Sequence, residues 1–140
     1  MFDMQQEKEK VKSILVTGAA GLIGQNLVLR LRSHPGITVV GVDKHKKNCE
    51  SFRRIHPGVA LVETDLSKKG CWEKHFKDVD VVVLSQAQIG GVREADFIAN
   101  NITATQNIIE ACKKHKVNYI IHISSSVVNS KAGNYYTRTK

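Results

Sequence analysis

Three glycines recur at a spacing of three in Thr17-Gly18-Ala19-Ala20-Gly21-Leu22-Ile23-Gly24, between the apolar run Ile14-Leu15-Val16 and a helix-like stretch from Leu22. A glycine-rich turn from strand to helix is suited to holding a phosphate. Gly18 can take backbone angles closed to other residues. Gly21 has no side chain to block a pyrophosphate, and Gly24 lets the helix lie close on the sheet. The helix start, with Leu22 and Ile23 in its first turn, offers unpaired N–H groups and a partial positive charge. Asp43 ends the next apolar run, Val39-Val40-Gly41-Val42, nineteen residues beyond Gly24. At that spacing a carboxylate meets the ribose hydroxyls of a dinucleotide. Asp43 favours NAD over NADP, because a carboxylate repels a 2′-phosphate. The basic run Lys44-His45-Lys46-Lys47 follows at once and softens that preference.

Chemistry at that turn requires a sheet to hold it. Five apolar runs are rich in Val or Ile and nearly continuous: 13–17, 38–42, 59–62, 79–84 and 119–123. Continuous runs suit parallel strands buried on both faces. Helical stripes lie between them: Ile23, Leu27, Val28 and Leu31, then Thr105, Ile108, Ile109 and Cys112. A weaker helix carries Cys49, Phe52 and Ile55 and stops at His56-Pro57-Gly58, and a short one carries Trp72 and Phe76 as core residues. Strand–helix alternation predicts an α/β fold, a doubly wound parallel sheet of Rossmann type with strand order 3-2-1-4-5.

The 140 residues fit one domain, with 41% hydrophobic and 24% charged residues. No apolar run reaches the roughly 18 residues of a membrane span. Residues 1–12 are polar and read as a flexible lead-in without the apolar core of a signal peptide. Cys49, Cys71 and Cys112 show no metal or redox spacing and read as reduced core thiols of a cytoplasmic protein. The six histidines show no ligand spacing, so no metal is expected. The net charge of +8 is spread along the chain without interleaved aromatic residues. That pattern favours a solvated face over nucleic acid, which would instead bind with steep salt dependence.

Four separated motifs give a family resemblance. They are the Thr17-Gly18-x-x-Gly21-x-x-Gly24 turn, Asp65-Leu66 after the third strand, the segment from Asn101 to Ala111, and Tyr136-Thr137-Arg138-Thr139-Lys140 preceded by Ser124-Ser125-Ser126. Together they resemble the extended short-chain dehydrogenase/reductases, in the NAD-dependent epimerase/dehydratase group. The resemblance implies that Asp65 contacts the adenine amine, that Ala87 lines the cofactor, and that Leu66 and Asn101 belong to the cofactor-binding set. It also implies that Tyr136 and Lys140 form the acid–base pair with a nearby serine. Aligning the family frame puts Ser125 at the catalytic position, with Ser124 and Ser126 as alternatives. Four residues depart from the pattern. Ala104 replaces a glycine, Gln86 adds a polar group where the family has alanine, and Asn129-Ser130 stand where Tyr-Gly is usual. Gln86 reads equally as a hydrogen-bonded loop residue or a cofactor contact. Only nine residues, 127–135, separate Ser126 from Tyr136, fewer than in most such enzymes.

The spacing of the last pair has a physical basis. Positions i and i+4 share a helix face. A free phenol has a pKa near ~10 and is a poor base at neutral pH, and an adjacent cation favours the phenolate. A tyrosine so placed exchanges a proton with a substrate oxygen as hydride moves to or from a nicotinamide.

Family members continue well beyond this lysine. The resemblance therefore implies that residues 13–140 are an NAD-binding domain incomplete at its C-terminus, truncated after the fifth strand, whose apolar edge is left open. The expected function is the NAD-binding portion of an epimerase, dehydratase or oxidoreductase, with a nucleotide sugar or related carbonyl compound as substrate and a homodimer in the longer form. The 140-residue chain alone is expected to bind NAD weakly without turnover. The alternative is a non-catalytic dinucleotide-sensing or scaffold protein of the same fold.

Overall fold

Val- and Ile-rich segments have few ways to satisfy their backbone while buried on both sides, and here they pair side by side. In a computed structural model, which describes residues 12–140, β1 (Lys12–Thr17), β2 (Ile37–Asp43), β3 (Ala60–Glu63), β4 (Val81–Leu84) and β5 (Tyr119–His122) form one sheet. Every pairing is parallel, and the order is β3-β2-β1-β4-β5, as the alternation predicts. The expected lead-in lies outside the described residues except for Lys12, which opens β1 opposite Ile37.

Side-chain alternation divides the core between the two faces of the sheet. Leu15, Val82 and Leu84 pack with Trp72, Phe76, Ala104 and Ile108 on one side. Val16 and Val83 pack with Val28, Cys49 and Phe52 on the other. Helices α1 (Leu22–Leu31) and α2 (Lys46–Ile55) contribute to the second face. The first is covered by a 3₁₀ turn, Cys71–Phe76, and a long helix entered through α3 (Glu94–Phe97). That helix passes through a π-helical segment, Ile98–Thr103, into α4 (Ala104–Lys114). A second 3₁₀ turn, Ser126–Asn129, leads to α5 (Tyr135–Thr139).

Three expectations need correction. Ile23 is 56% and Ile55 52% exposed, so the apolar stripes of α1 and α2 are narrower than their periodicity implies. Cys71 is exposed and is not a core thiol; Cys49 and Cys112 are buried, and burial pushes both thiols up to about 11. All four residues of β5 are exposed, so strand burial on both faces holds for the centre of the sheet and not for this edge. The expected helix stop at His56 holds, with α2 ending at Ile55, and the His56 ring is in addition buried against Phe52, with ring centroids 4.7 Å apart.

Candidate functional site

The carboxyl ends of parallel strands face one way, and loops leaving adjacent strands in opposite directions open a crevice between them. Here the crevice is a cleft of about 450 Å³. Its floor is the turn between β1 and α1. Gly18 has φ +63°, and a Cβ there would stand 2.7 Å from the backbone nitrogen of Gln86. A Cβ on Gly24 would stand 2.2 Å from the Gly18 carbonyl oxygen and 2.6 Å from the Ala19 Cα. Gly21 meets only the Gly18 carbonyl, at 3.3 Å. Among the described residues no side chain caps α1, and its first turn holds no acidic residue. The start of the helix therefore opens on the cleft with no side-chain cap and no acid in its own first turn, and with Leu22 and Ile23 on the wall.

Asp43 comes to this turn from the end of β2. Its Oδ2 accepts the Ala20 N–H at 3.0 Å and its Oδ1 accepts the His45 N–H at 2.9 Å. These bonds orient the carboxylate on the cleft rim. Asp65 and Leu66, just beyond β3, line the same cavity. Burial raises the Asp65 pKa. Bonds from the Ser67 N–H and O–H, with Lys44 nearby, outweigh that and hold it below the ordinary carboxylate range. Leu66 is placed by Asn107, whose buried Nδ2 donates to its carbonyl at 2.9 Å. Ala87 lines the wall after β4.

Tyr136 and Lys140 reach the opposite side of the cleft from α5. The Lys140 N–H donates to the Tyr136 carbonyl at 3.0 Å, the i, i+4 bond that sets both on one helix face. Burial lowers the Lys140 ammonium from its ordinary 10.5. Asn134 caps the helix by accepting the Thr137 N–H at 2.9 Å. Phe97 packs on Tyr135 with centroids 5.6 Å apart, and Arg138 pairs with Glu94 at 3.2 Å.

Two expected site residues stand off the cleft wall. The Ser125 hydroxyl accepts the Val127 N–H at 3.4 Å, and its neighbour Ser124 is the serine on the lining. Asn101 is buried. Its carboxamide accepts the Gln88 N–H at 2.7 Å and donates to the Gln88 carbonyl and to Thr139 Oγ1, each at 3.0 Å. It thus ties the loop after β4 to the helix carrying Tyr136 and Lys140. Gln86 takes both roles open to it. It accepts from Thr17 and donates to Thr105 at 3.2 Å, while still lining the cleft.

Sequence reading missed Gln88 and Asn100, among others, as cleft residues, and named Lys44 only within the basic run that softens the cofactor preference. Asn100 precedes Asn101 in the π-helical segment, and consecutive helical residues do not share a face. Only adjacency to recognised positions could have signalled them. Among the described residues no group of three His, Cys, Asp or Glu side chains gathers as metal ligands. No helix of the described residues is long and apolar enough to cross a membrane.

Residues 14–139 match the family described as NAD dependent epimerase/dehydratase. A curated relative, "Uncharacterized UDP-glucose epimerase YtcB" of Bacillus subtilis (strain 168), is 32% identical over 86% of this chain and 42% of its own. The crystal structure of UDP-glucuronic acid 4-epimerase from Bacillus cereus in complex with NAD superposes with a TM-score of 0.73 at 32% identity, covering 86% of this chain and 42% of that one. UDP-N-acetylglucosamine 4-epimerase from Methanobrevibacter ruminantium M1, in complex with UDP-N-acetylmuramic acid, superposes with a TM-score of 0.71 at 28% identity, covering 89% of this chain and 41% of that one. The chain thus spans about two fifths of the length of these relatives.

Proposed function

The chain belongs to the NAD-dependent epimerase/dehydratase family, and on that premise we propose that it is the NAD-binding portion of an enzyme moving hydride to and from a nucleotide sugar or related carbonyl or hydroxyl compound. The observation that carries this reading is the meeting of the glycine turn, Asp43, Tyr136 and Lys140 on one cleft. The residues fit the cofactor. A diphosphate has the uncapped start of α1 and the bare Cα of Gly21 to approach. Asp43 holds the adjoining ribose, and Asp65, Leu66 and Ala87 border the adenine. When bound, NAD supplies the hydride acceptor.

The side chains divide the remaining work. Tyr136 exchanges a proton with the substrate oxygen, and Lys140 places positive charge beside it. Ser124 on the lining, or Ser125 after a shift of its loop, donates a hydrogen bond to the same oxygen. Asn101 is a positioning residue, holding Gln88 and Thr139 in register. The nucleotide-sugar class is supported by what the similar epimerases are named for. Three free thiols suit a reducing cytoplasm, where we place this activity, with a homodimer as the working form of the longer protein.

NADH titration of the chain, followed by fluorescence, tests the cofactor; no saturable binding would overturn the reading. In a form extended to the length of its relatives, Tyr136→Phe should cost about 10²–10⁴-fold in turnover while leaving NAD binding within about twofold. Retention of activity by that variant would remove Tyr136 from the chemistry. The orientation of Ser125 toward Val127 favours a second reading, a dinucleotide sensor without turnover. That reading expects NADH binding and no Tyr136-dependent hydride transfer.

A further inference from the structure

Lys44 follows Asp43 at the cleft rim, and its ammonium reaches two elements at once. Nζ lies 3.5 Å from Asp65 Oδ2 and donates to Asn100 Oδ1. Asp65 leaves β3 on one wall, and Asn100 sits in the π-helical segment on the other. Both anchors are held independently. Asp65 Oδ1 accepts the Ser67 N–H at 3.0 Å and its O–H at 2.7 Å. Asn100 donates to Gln88 Oε1 at 2.9 Å, and the Gln88 backbone is gripped in turn by Asn101. Lys44, with 46% of its side chain exposed, is therefore the movable part of the bridge. Lys46 and Lys47 lie outside the cleft lining.

We propose that Lys44 is a cofactor-positioning residue, a clasp that bridges Asp65 and Asn100 over the adenine end of the bound dinucleotide and must open before it leaves. The proposal rests on reading the cleft as an NAD site. A purine bordered by Asp65, Leu66 and Ala87 lies beneath the lysine stem, and the bridge closes behind it. The ion pair is exposed and individually weak, so the clasp slows release without fixing the ligand permanently.

Stopped-flow fluorescence of NADH with the 140-residue chain separates association from dissociation. Lys44→Met should raise koff by about three- to tenfold with kon within about twofold. Asn100→Ala should raise koff in the same direction, and the double variant should do little more than Lys44→Met alone, because both changes open one bridge. Lys44→Arg should restore most of the slow release. Lys46→Met, which leaves the bridge intact but removes the same charge, should leave koff unchanged. An unchanged koff in Lys44→Met, or fully additive effects of the two sites, overturns the clasp while leaving the cofactor reading intact. A faster kon in Lys44→Met also overturns it, by showing that the lysine obstructs the slot. Absence of NADH binding by the unaltered chain overturns both readings.

Discussion

The two sides of the cleft are held by different forces. The glycine-turn side rests on β1, β2 and α1, where Leu15, Val16, Ala19 and Val28 are fully buried and Val42 nearly so. The side bearing Tyr136 and Lys140 rests on β5, with every residue exposed, and on α5, with none buried. Close packing positions the first, and a few directional contacts position the second: Asn101 to Thr139, Arg138 to Glu94, and Phe97 against Tyr135. A ligand that spans both sides would meet a rigid wall and an adjustable one. Placing a phosphate turn requires the backbone itself to be fixed, whereas placing a phenol requires only that one short helix be oriented.

The sharpest challenge to this contrast is a methyl group in the rigid wall. Gly24→Ala should cost about 3 kcal/mol, because the clash is with backbone atoms that no rotamer change relieves. Urea unfolding measures it, and a cost below about 1 kcal/mol would mean that the turn yields. Asn107→Ala should cost about 1–3 kcal/mol by leaving the buried Leu66 carbonyl without its partner, and should weaken NADH binding in the same titrations.

His56 tests the packed region through pH. Burial, with Arg32 adding to it, lowers its pKa from the ordinary 6.5, so the native ring stays neutral where the unfolded chain takes up a proton. Stability should therefore fall as pH drops below about 6.5, by at most about 1.4 kcal/mol per pH unit for this one group. His56→Leu should flatten that acid limb in urea melts recorded between pH 7 and 5; an unchanged slope would assign it to other groups. The smallest effect is expected on the adjustable side. Arg138→Ala should change global stability by less than about 1 kcal/mol. It should nevertheless speed hydrogen exchange of the α5 amides, since it removes both the Glu94 pair and the cation over Tyr135.

The same contrast explains what the amino-acid sequence disclosed. Strand order and the location of the glycine turn were legible because Val- and Ile-rich runs and a strand–turn–helix signature are local patterns with long-range consequences. The pairing of Asp43 with the turn was legible from its spacing alone. The roles of Asn101 and Lys44 were not. Asn101 sits at a recognised position, but its carboxamide is spent on Gln88 and Thr139, partners that only the fold brings to it. Lys44 reads as part of a charged run until folding brings Asp65 and Asn100 within its reach. His56 looked like punctuation after a helix because its burial depends on packing beside Phe52. Such contacts join distant segments through single side chains, and no periodicity announces them.

The crowding around the three glycines is unequal, and it divides the demands of architecture from those of a guest. Gly18 and Gly24 are hemmed in by the molecule's own main chain. A descendant that abandoned its nucleotide would still be obliged to keep them. Position 21, pressed by a single carbonyl, answers chiefly to whatever anion arrives. Drift there, with 18 and 24 intact, would mark a copy of this fold that had retired from dinucleotide work.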